Sequence, residues 1–226
     1  MAFTEKEIEE VVRRVLLGVS STECKCSGDC TCEKKAGDVP VGISNRHIHL
    51  SRADLDTLFG EGYELTPIKE LSQPGQYACK ETLTIVGPSL RPIENVRVLG
   101  PVRRASQVEI SVTDSYVLKV KPPVRESGNL KDSAPVTIIG PKGVVTLGEG
   151  CIIANRHIHM SEDEARAFGL KDFDRVAVDV EGTKKTRWYD VQVRVSPDFR
   201  LEMHVDTDDA NAAGIGNGAR VKIVKE

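Results

Sequence analysis

The 226-residue sequence lacks the features of several protein classes. It contains no apolar run approaching the roughly 18–20 residues that a membrane-spanning helix needs. Its formal net charge is only −3, without the positive excess typical of nucleic-acid-binding proteins. Glu5, Glu7, Glu9 and Glu10 interrupt any apolar stretch near the N-terminus, so we expect no secretory signal. These absences predict a cytosolic globular protein with neither a membrane nor a nucleic-acid partner.

Histidine is scarce, and its distribution is unusual. Four of the five histidines lie in two copies of one phrase, "SNRHIHLS" at 44–51 and "ANRHIHMS" at 154–161. Seven of the nine residues in 43–51 are identical to those in 153–161, which favours an internal duplication. In a strand, residues i and i+2 point to the same side, so both imidazoles of an H-x-H can reach one ion. On a helix they would diverge. The repeat therefore predicts two metal sites.

Each H-x-H pair needs a third donor, because a catalytic zinc ion takes about three protein ligands. His204 in "LEMHVDT" is one candidate, and Glu109 in "SQVEISV" is another. The alternatives are a histidine without a ligand role and a glutamate on a solvent-facing strand. Arg103 and Arg104 shortly precede Glu109 and favour an anion such as phosphate, although surface arginines are common.

From residue 39 onward the chain consists of short runs that alternate apolar and polar residues between turn signals. The runs are "LTIVG", "ENVRVLG", "SQVEISV", "YVLKVK", "PVTIIG", "GVVTLG", "RVAVDV", "YDVQVRV", "LEMHV" and "ARVKIV". Such spacing is typical of small β-barrels or sandwiches. After each H-x-H, Ser51 or Ser161 precedes an acidic residue by three positions, which predicts a helix cap. We expect these helices to end near Gly60 and Gly169.

The N-terminal region differs from the rest of the chain. "TEKEIEEVVRRVLLGV" has its apolar residues on one helical face, so the helix must dock on something. It can pack on the protein's own body or a second subunit, or it can be a detachable targeting tag, because residues 20–38 form a polar tether.

Four of the six cysteines crowd into "CKCSGDCTC" within that tether: Cys24, Cys26, Cys30 and Cys32. In a reducing compartment such a cluster is more typical of a soft-metal or redox site than of disulfides. However, the spacing is not the usual C-x2-C, and the surrounding residues are rich in Ser, Gly and Lys, which favours a flexible linker of minor function, with the metal or redox site as the alternative. Cys79 and Cys151 stand alone, and we expect them to be buried thiols.

Several long motifs together resemble the phosphate propanoyltransferase family, the phosphotransacylases of propanediol-utilisation microcompartments. They are "RHIHLS", "LSQPGQ", "ENVRVLGPVRRASQVEISVTD", "RESG" and "ANRHIHMS", and the resemblance runs from residue 39 to the C-terminus. It implies a mainly β fold of two small barrels capped by short helices. We expect one barrel from residues 47–154 and one from 39–46 with 155–226, after an amphipathic helix in 1–20 and a Cys-rich linker in 21–38.

The resemblance also implies a site with two zinc ions between the barrels. His47, His49 and Glu109 would hold one ion, and His157, His159 and His204 the other. Arg103 matches the phosphate contact of the family. Coenzyme A would be touched by Ser44, Asn45, Lys69, Arg97 and Asn211.

The implied reaction converts acyl-CoA and phosphate to acyl phosphate and coenzyme A by direct attack, without an acyl-enzyme. Residues 3–17 would bind microcompartment shell or lumen proteins and direct the enzyme into the lumen, with a homo-oligomer as a further possibility. Two rivals stay open, a zinc-dependent hydrolase and a non-catalytic microcompartment interaction protein. The resemblance assigns no role to the clustered cysteines.

Overall fold

Strands dominate the computed structural model, which describes residues 38–224. In chain order the elements are β1 (Asp38–Ser44), β2 (His47–His49), α1 (Arg52–Phe59), β3 (Pro67–Glu70), β4 (Tyr77–Val86), β5 (Pro92–Gly100), β6 (Gln107–Glu109), α2 (Val112–Leu118), β7 (Val124–Arg125), β8 (Ala134–Ile139), β9 (Val144–Ala154), β10 (His157–Met160), α3 (Glu162–Phe168), β11 (Arg175–Val180), β12 (Thr186–Val195), β13 (Glu202–Asp206), α4 (Thr207–Ala213) and β14 (Arg220–Val224). The predicted mainly β fold with short helices is confirmed. Of the helices described, none is long and apolar enough to cross a membrane.

The predictions for the N-terminal region concern residues before those that the structure describes. The amphipathic helix of residues 1–20, its segment 3–17 and the four clustered cysteines lie outside the described residues. So does the predicted linker 21–38, except that its last residue begins β1.

The strands close into two six-stranded barrels within one compact unit. In the first, which we call the central barrel, the order is β4-β5-β2-β6-β9-β8 and back to β4, with β3 added beside β4 and β7 beside β9. In the second, the terminal barrel, the order is β11-β12-β10-β13-β1-β14 and back to β11.

The two barrels have the same plan. When β10 is matched with β2, and β13 with β6, every neighbouring pair is parallel in both barrels or antiparallel in both. β1 corresponds to β9 in this matching, and the two strands are exchanged between the barrels. β1 precedes β2 in the chain but lies in the terminal barrel, while β9 precedes β10 but lies in the central barrel. The chain therefore passes from one barrel to the other immediately before each H-x-H, which brings both phrases to the junction between the barrels.

Each H-x-H lies on a strand, as predicted, and its isoleucine fills a barrel core. Ile48 belongs to the core of the central barrel and Ile158 to that of the terminal barrel, and both are fully buried. Full burial of such a side chain stabilises the fold by about 1.5–3 kcal/mol. Because side chains alternate along a strand, this anchoring turns both flanking histidines away from the core.

Two of the helices begin where their serine caps predicted. The Ser51 hydroxyl accepts a hydrogen bond from the Asp54 amide at 3.2 Å, and α1 ends at Gly60. Ser161 and Glu164 form a reciprocal capping box, and α3 ends at Gly169 in the left-handed conformation.

One predicted strand is wrong. The run "YVLKVK" is not a strand, because its first three residues complete α2 and Lys119 caps that helix with φ of 58°. Ser111 and Asp114 form a capping box at the start of α2. A strong start signal five residues upstream, at Ser111, thus outweighs the short apolar–polar alternation.

Candidate active site and metal centre

A cleft of about 820 Å³ is lined by residues of both barrels, including both H-x-H phrases. The strand exchange explains its position, because each phrase begins where the chain crosses between barrels. Two clusters of possible metal ligands face this cleft. In each cluster, the donor atoms of three residues lie within 4.8 Å of one another.

Cluster A consists of His47, His49 and Glu109. The antiparallel pairing of β2 with β6 sets His47 directly opposite Glu109, with 3.5 Å between Nε2 and the nearer carboxylate oxygen. The two imidazole rings are 4.9 Å apart and nearly perpendicular. All three side chains are buried, so the cluster combines two imidazoles and one carboxylate at the inner wall of the cleft.

Cluster B consists of His157, His159 and His204. The matching pair of strands, β10 and β13, sets His157 opposite His204 in the same way. Ring centroids lie 4.7 Å apart for His157 and His159, 4.8 Å for His159 and His204, and 5.2 Å for His157 and His204. Glu109 and His204 therefore occupy corresponding places in the two barrels.

The first histidine of each phrase has a defined proton position. Nδ1 of His47 lies 2.8 Å from the Asn45 carbonyl, and Nδ1 of His157 lies 2.8 Å from the Asn155 carbonyl. A carbonyl oxygen only accepts, so Nδ1 carries the proton in both rings and donates it. When the ring is neutral, its lone pair is then on Nε2, which is the arrangement that metal-binding histidines commonly have.

Burial keeps three of the histidines neutral. The pKa of His49 falls to about 2 because of burial and the neighbouring His47. Burial and His157 lower the pKa of His159 to about 2, while burial and His204 lower that of His157 to about 4. At neutral pH these imidazoles are unprotonated, as a metal ligand must be.

His47 and Glu109 form a different kind of pair. Burial opposes the charge on each, but their mutual attraction outweighs it. The pKa of His47 is therefore raised, and the pKa of Glu109 is held well below its usual range. Removing His47 would leave the ionised Glu109 carboxylate buried without its partner.

A hydrogen-bonded network joins Arg103 to cluster A. The Arg103 guanidinium donates to the Ser127 hydroxyl at 3.2 Å, and that hydroxyl donates to Glu109 at 2.9 Å. The backbone amide of Arg103 donates to the Leu50 carbonyl at 2.8 Å, so the loop after β5 is held against β2. Burial lowers the pKa of Arg103, but an arginine stays charged at any working pH.

Four of the five residues predicted to touch coenzyme A line the cleft, namely Ser44, Asn45, Lys69 and Arg97. The Arg97 guanidinium donates to the carbonyls of Cys79 and Lys80, at 2.9 and 3.0 Å. Asn211, in contrast, is an exposed residue of α4 and is not among the residues that line the cleft.

Sequence reasoning missed several residues of the cleft. Arg194 lies beside His159 in the register of β10 and β12, and its guanidinium pairs with Glu126 at 3.2 Å. The alternation in "YDVQVRV" set Arg194 on a polar face and could have indicated it. Ser127 lies in the "RESG" segment, but nothing in that segment predicts that its hydroxyl meets Glu109.

Comparison with known proteins gives this arrangement a family. The family described as phosphate propanoyltransferase matches residues 40–216. A phosphate propanoyltransferase of Thermotoga maritima is 58% identical over 193 residues, which cover 85% of this chain and 91% of the relative. Another of Lachnoclostridium phytofermentans is 56% identical, with 85% and 92% covered. A third, of Rhodopseudomonas palustris, is 44% identical over the full length of both chains. The chain belongs to the phosphate propanoyltransferase family and is a phosphotransacylase, an enzyme that transfers acyl groups.

Proposed function

We propose that the enzyme converts propanoyl-CoA or acetyl-CoA and inorganic phosphate to acyl phosphate and free coenzyme A, at a site with two zinc ions. One observation carries this proposal: two clusters of three donors, one from each barrel, line the same cleft as Arg103. The reaction is reversible.

The residues of both clusters fit zinc. Cluster A offers two imidazoles and a carboxylate, and cluster B three imidazoles, which are the donor sets of zinc sites that keep one position open. Nδ1 of His159 is buried without a hydrogen-bond partner among residues 38–224, so this ring has an unused polar atom in cluster B. Zinc bound at these clusters would supply Lewis acidity towards phosphate and carbonyl oxygens.

Arg103 binds and aims the phosphate. Its planar guanidinium suits two phosphate oxygens at once, and its bond to Ser127 keeps the group from swinging into the solvent. A phosphate oxygen attacks the thioester carbonyl carbon, the carbon–sulfur bond breaks, and coenzyme A leaves as its thiolate. Orientation of the two substrates in one cleft accounts for a large part of the rate.

The acyl-CoA lies across the segment at the end of β1 where the chain passes from the terminal barrel to the central barrel. Ser44 and Asn45 belong to this segment, while Lys69 and Arg97 supply positive charge for the phosphates of coenzyme A. Asn211, exposed on α4, would contact a part of coenzyme A that extends beyond the cleft.

A covalent route through a cysteine is disfavoured. Cys79 and Cys151 are fully buried, as expected, and burial raises their pKa to about 11 and about 12. Both thiols are therefore protonated at neutral pH and are poor nucleophiles. Cys79→Ser and Cys151→Ser should each keep the turnover of the unmodified enzyme, and loss of turnover in one, with its fold intact, would support the covalent route.

The zinc hydrolase is separated from the transferase by one assay. Release of coenzyme A from propanoyl-CoA is followed with and without phosphate. We expect thiol release to require phosphate, with one acyl phosphate formed per thiol. Equal thiol release in the absence of phosphate would identify a hydrolase.

We also propose that residues 3–17 direct the enzyme into the lumen of a bacterial microcompartment. The support is the amphipathic pattern of that segment and the family resemblance. A purely non-catalytic role at the shell would leave both clusters without a use. Fusion of residues 1–20 to a fluorescent protein should suffice for encapsulation.

A further inference from the structure

Two polar residues occupy corresponding positions behind the third ligand of each cluster. Gln107 precedes Glu109 by two residues on β6, and Glu202 precedes His204 by two residues on β13. The strand registers match as well, because Gln107 lies opposite His49 and Glu202 lies opposite His159. In a strand, residues two apart share a face, so each of these polar residues lies on the same side of its strand as the ligand that it precedes.

The chemistry of each pair is complementary. The Gln107 amide donates a hydrogen bond to the Glu109 carboxylate, and the Glu202 carboxylate lies 2.7 Å from Nε2 of His204. A carboxylate only accepts at neutral pH, so Nε2 of His204 carries the proton and Nδ1 has the lone pair. An amide thus supports the acidic ligand, while an acid supports the imidazole ligand. A carboxylate that accepts a hydrogen bond from a metal-binding histidine fixes the orientation of its ring and increases its basicity.

Contacts from both barrels hold the Glu202 carboxylate in place. Ser72, in the loop between β3 and β4 of the central barrel, donates its hydroxyl proton to Glu202. The adjacent Gln73 is buried and pairs in both directions with the backbone of Arg200, at 3.0 and 3.2 Å. Gly42 on β1 leaves the necessary space, because a Cβ at that position would lie 2.9 Å from the Glu202 carboxyl carbon.

We propose that Glu202 is a positioning residue for cluster B, which orients His204 and links that orientation to the central barrel through Ser72. The inference rests on the proposed function in one respect, namely that cluster B holds a metal ion. It assigns Glu202 no contact with the substrates.

The test is the zinc affinity of Glu202→Gln in the full-length chain. The substitution keeps the size and packing of the side chain and removes its charge. Zinc-free protein is titrated against a chelating dye, and metal content is measured by mass spectrometry. We expect two zinc ions per unmodified chain, and in the variant one of them bound about 10- to 100-fold more weakly with the other unchanged. Glu64→Gln, on an exposed side chain of the central barrel, is the matched control and should bind both ions normally.

Other results identify what has failed. If Glu202→Gln binds both ions as tightly as the unmodified chain, the role of Glu202 is refuted while the zinc site stands. A purely structural role would weaken both ions and lower the melting temperature of the zinc-free protein, and this outcome also refutes the inference. If the unmodified chain binds no zinc, the proposed function itself fails.

Gly42→Ala tests the same claim without removing the carboxylate. The backbone of Gly42 lies in an ordinary strand, but the added methyl group forces the Glu202 carboxyl group to move. In Gly42→Ala we expect the same selective loss of one zinc ion. This variant keeps the proposal testable if Glu202→Gln fails to fold, and unchanged binding of both ions in Gly42→Ala contradicts the proposal.

Discussion

Acid should unfold the metal-free protein because of its buried neutral histidines. His49, His157 and His159 have pKa values of about 2, 4 and 2, whereas the unfolded chain takes up these protons near the ordinary value of 6.5. A depressed histidine pKa means that the unfolded state binds more protons below pH 6.5, so stability falls as the pH falls.

The size of this loss of stability follows from the pH interval over which only the unfolded chain takes up the protons. Each group costs about 1.4 kcal/mol per pH unit, or about 2 kcal/mol between pH 6.5 and 5, so the three together cost about 6 kcal/mol. His47 has a raised pKa, and its contribution is already complete below pH 6.5. Asp209, whose pKa burial raises to about 6, acts in the opposite direction and returns about 1 kcal/mol by pH 5. A net loss of about 5 kcal/mol is comparable with the whole stability of a small protein.

The assay is urea unfolding of chelator-treated protein at several pH values between 7.5 and 5. Trp188 is the single tryptophan and lies in the core of the terminal barrel, so its fluorescence reports unfolding there. His159→Gln is the matched variant, because it removes one buried titrating group. As the pH falls, the free energy of unfolding of this variant should decrease by about 1.4 kcal/mol per pH unit less than that of the unmodified protein. Stability that stays constant or increases down to pH 5 would refute the reasoning.

Three further predictions concern single regions of the protein. Arg103→Gln should raise the KM for phosphate about 10- to 100-fold, because a charge-assisted hydrogen bond contributes about 1.5–3 kcal/mol, while the KM for acyl-CoA changes less than about twofold; equal effects on both constants would contradict the phosphate role. Asp209→Asn should raise the free energy of unfolding by about 1–2 kcal/mol at pH 7.5, since this half-buried carboxyl is ionised above its pKa of about 6 and its charge is less well solvated in the folded than in the unfolded chain. The gain should disappear near pH 4, and a variant less stable at pH 7.5 would show that the Arg156 pairing outweighs burial. Deletion of residues 1–20 should abolish encapsulation and leave soluble turnover intact, and loss of both would contradict a separate targeting segment.

The features that could be predicted depend on local sequence. An H-x-H phrase in an extended segment turns both imidazoles to one side regardless of the remaining fold, and Ser51 and Ser161 begin helices by bonding to amides three residues away. Short alternating runs likewise identified most of the strands. The error at Tyr116–Leu118 shows the limit, because the capping signal for that helix lies upstream of the run itself.

The features that could not be predicted depend on distant pairing. The exchange of β1 and β9 between the barrels has no local signature, since β1 pairs with β13 about 160 residues later. Gln107 and Glu202 correspond only after the registers are known, because "QVE" and "EMH" share no residue at any aligned position. Ser127 meets Glu109 for the same reason, because β6 and β7 both pair with β9, and not through a motif.

The most direct single measurement is the rate of phosphate-dependent release of coenzyme A as zinc is titrated into the metal-free enzyme. Because each barrel contributes one pair of imidazoles to one zinc site, acyl phosphate formation should reach its maximum at two zinc ions per chain. His47→Ala or His157→Ala should each reduce the stoichiometry to one. Full turnover by the chelated protein, or thiol release indifferent to phosphate, would contradict the account.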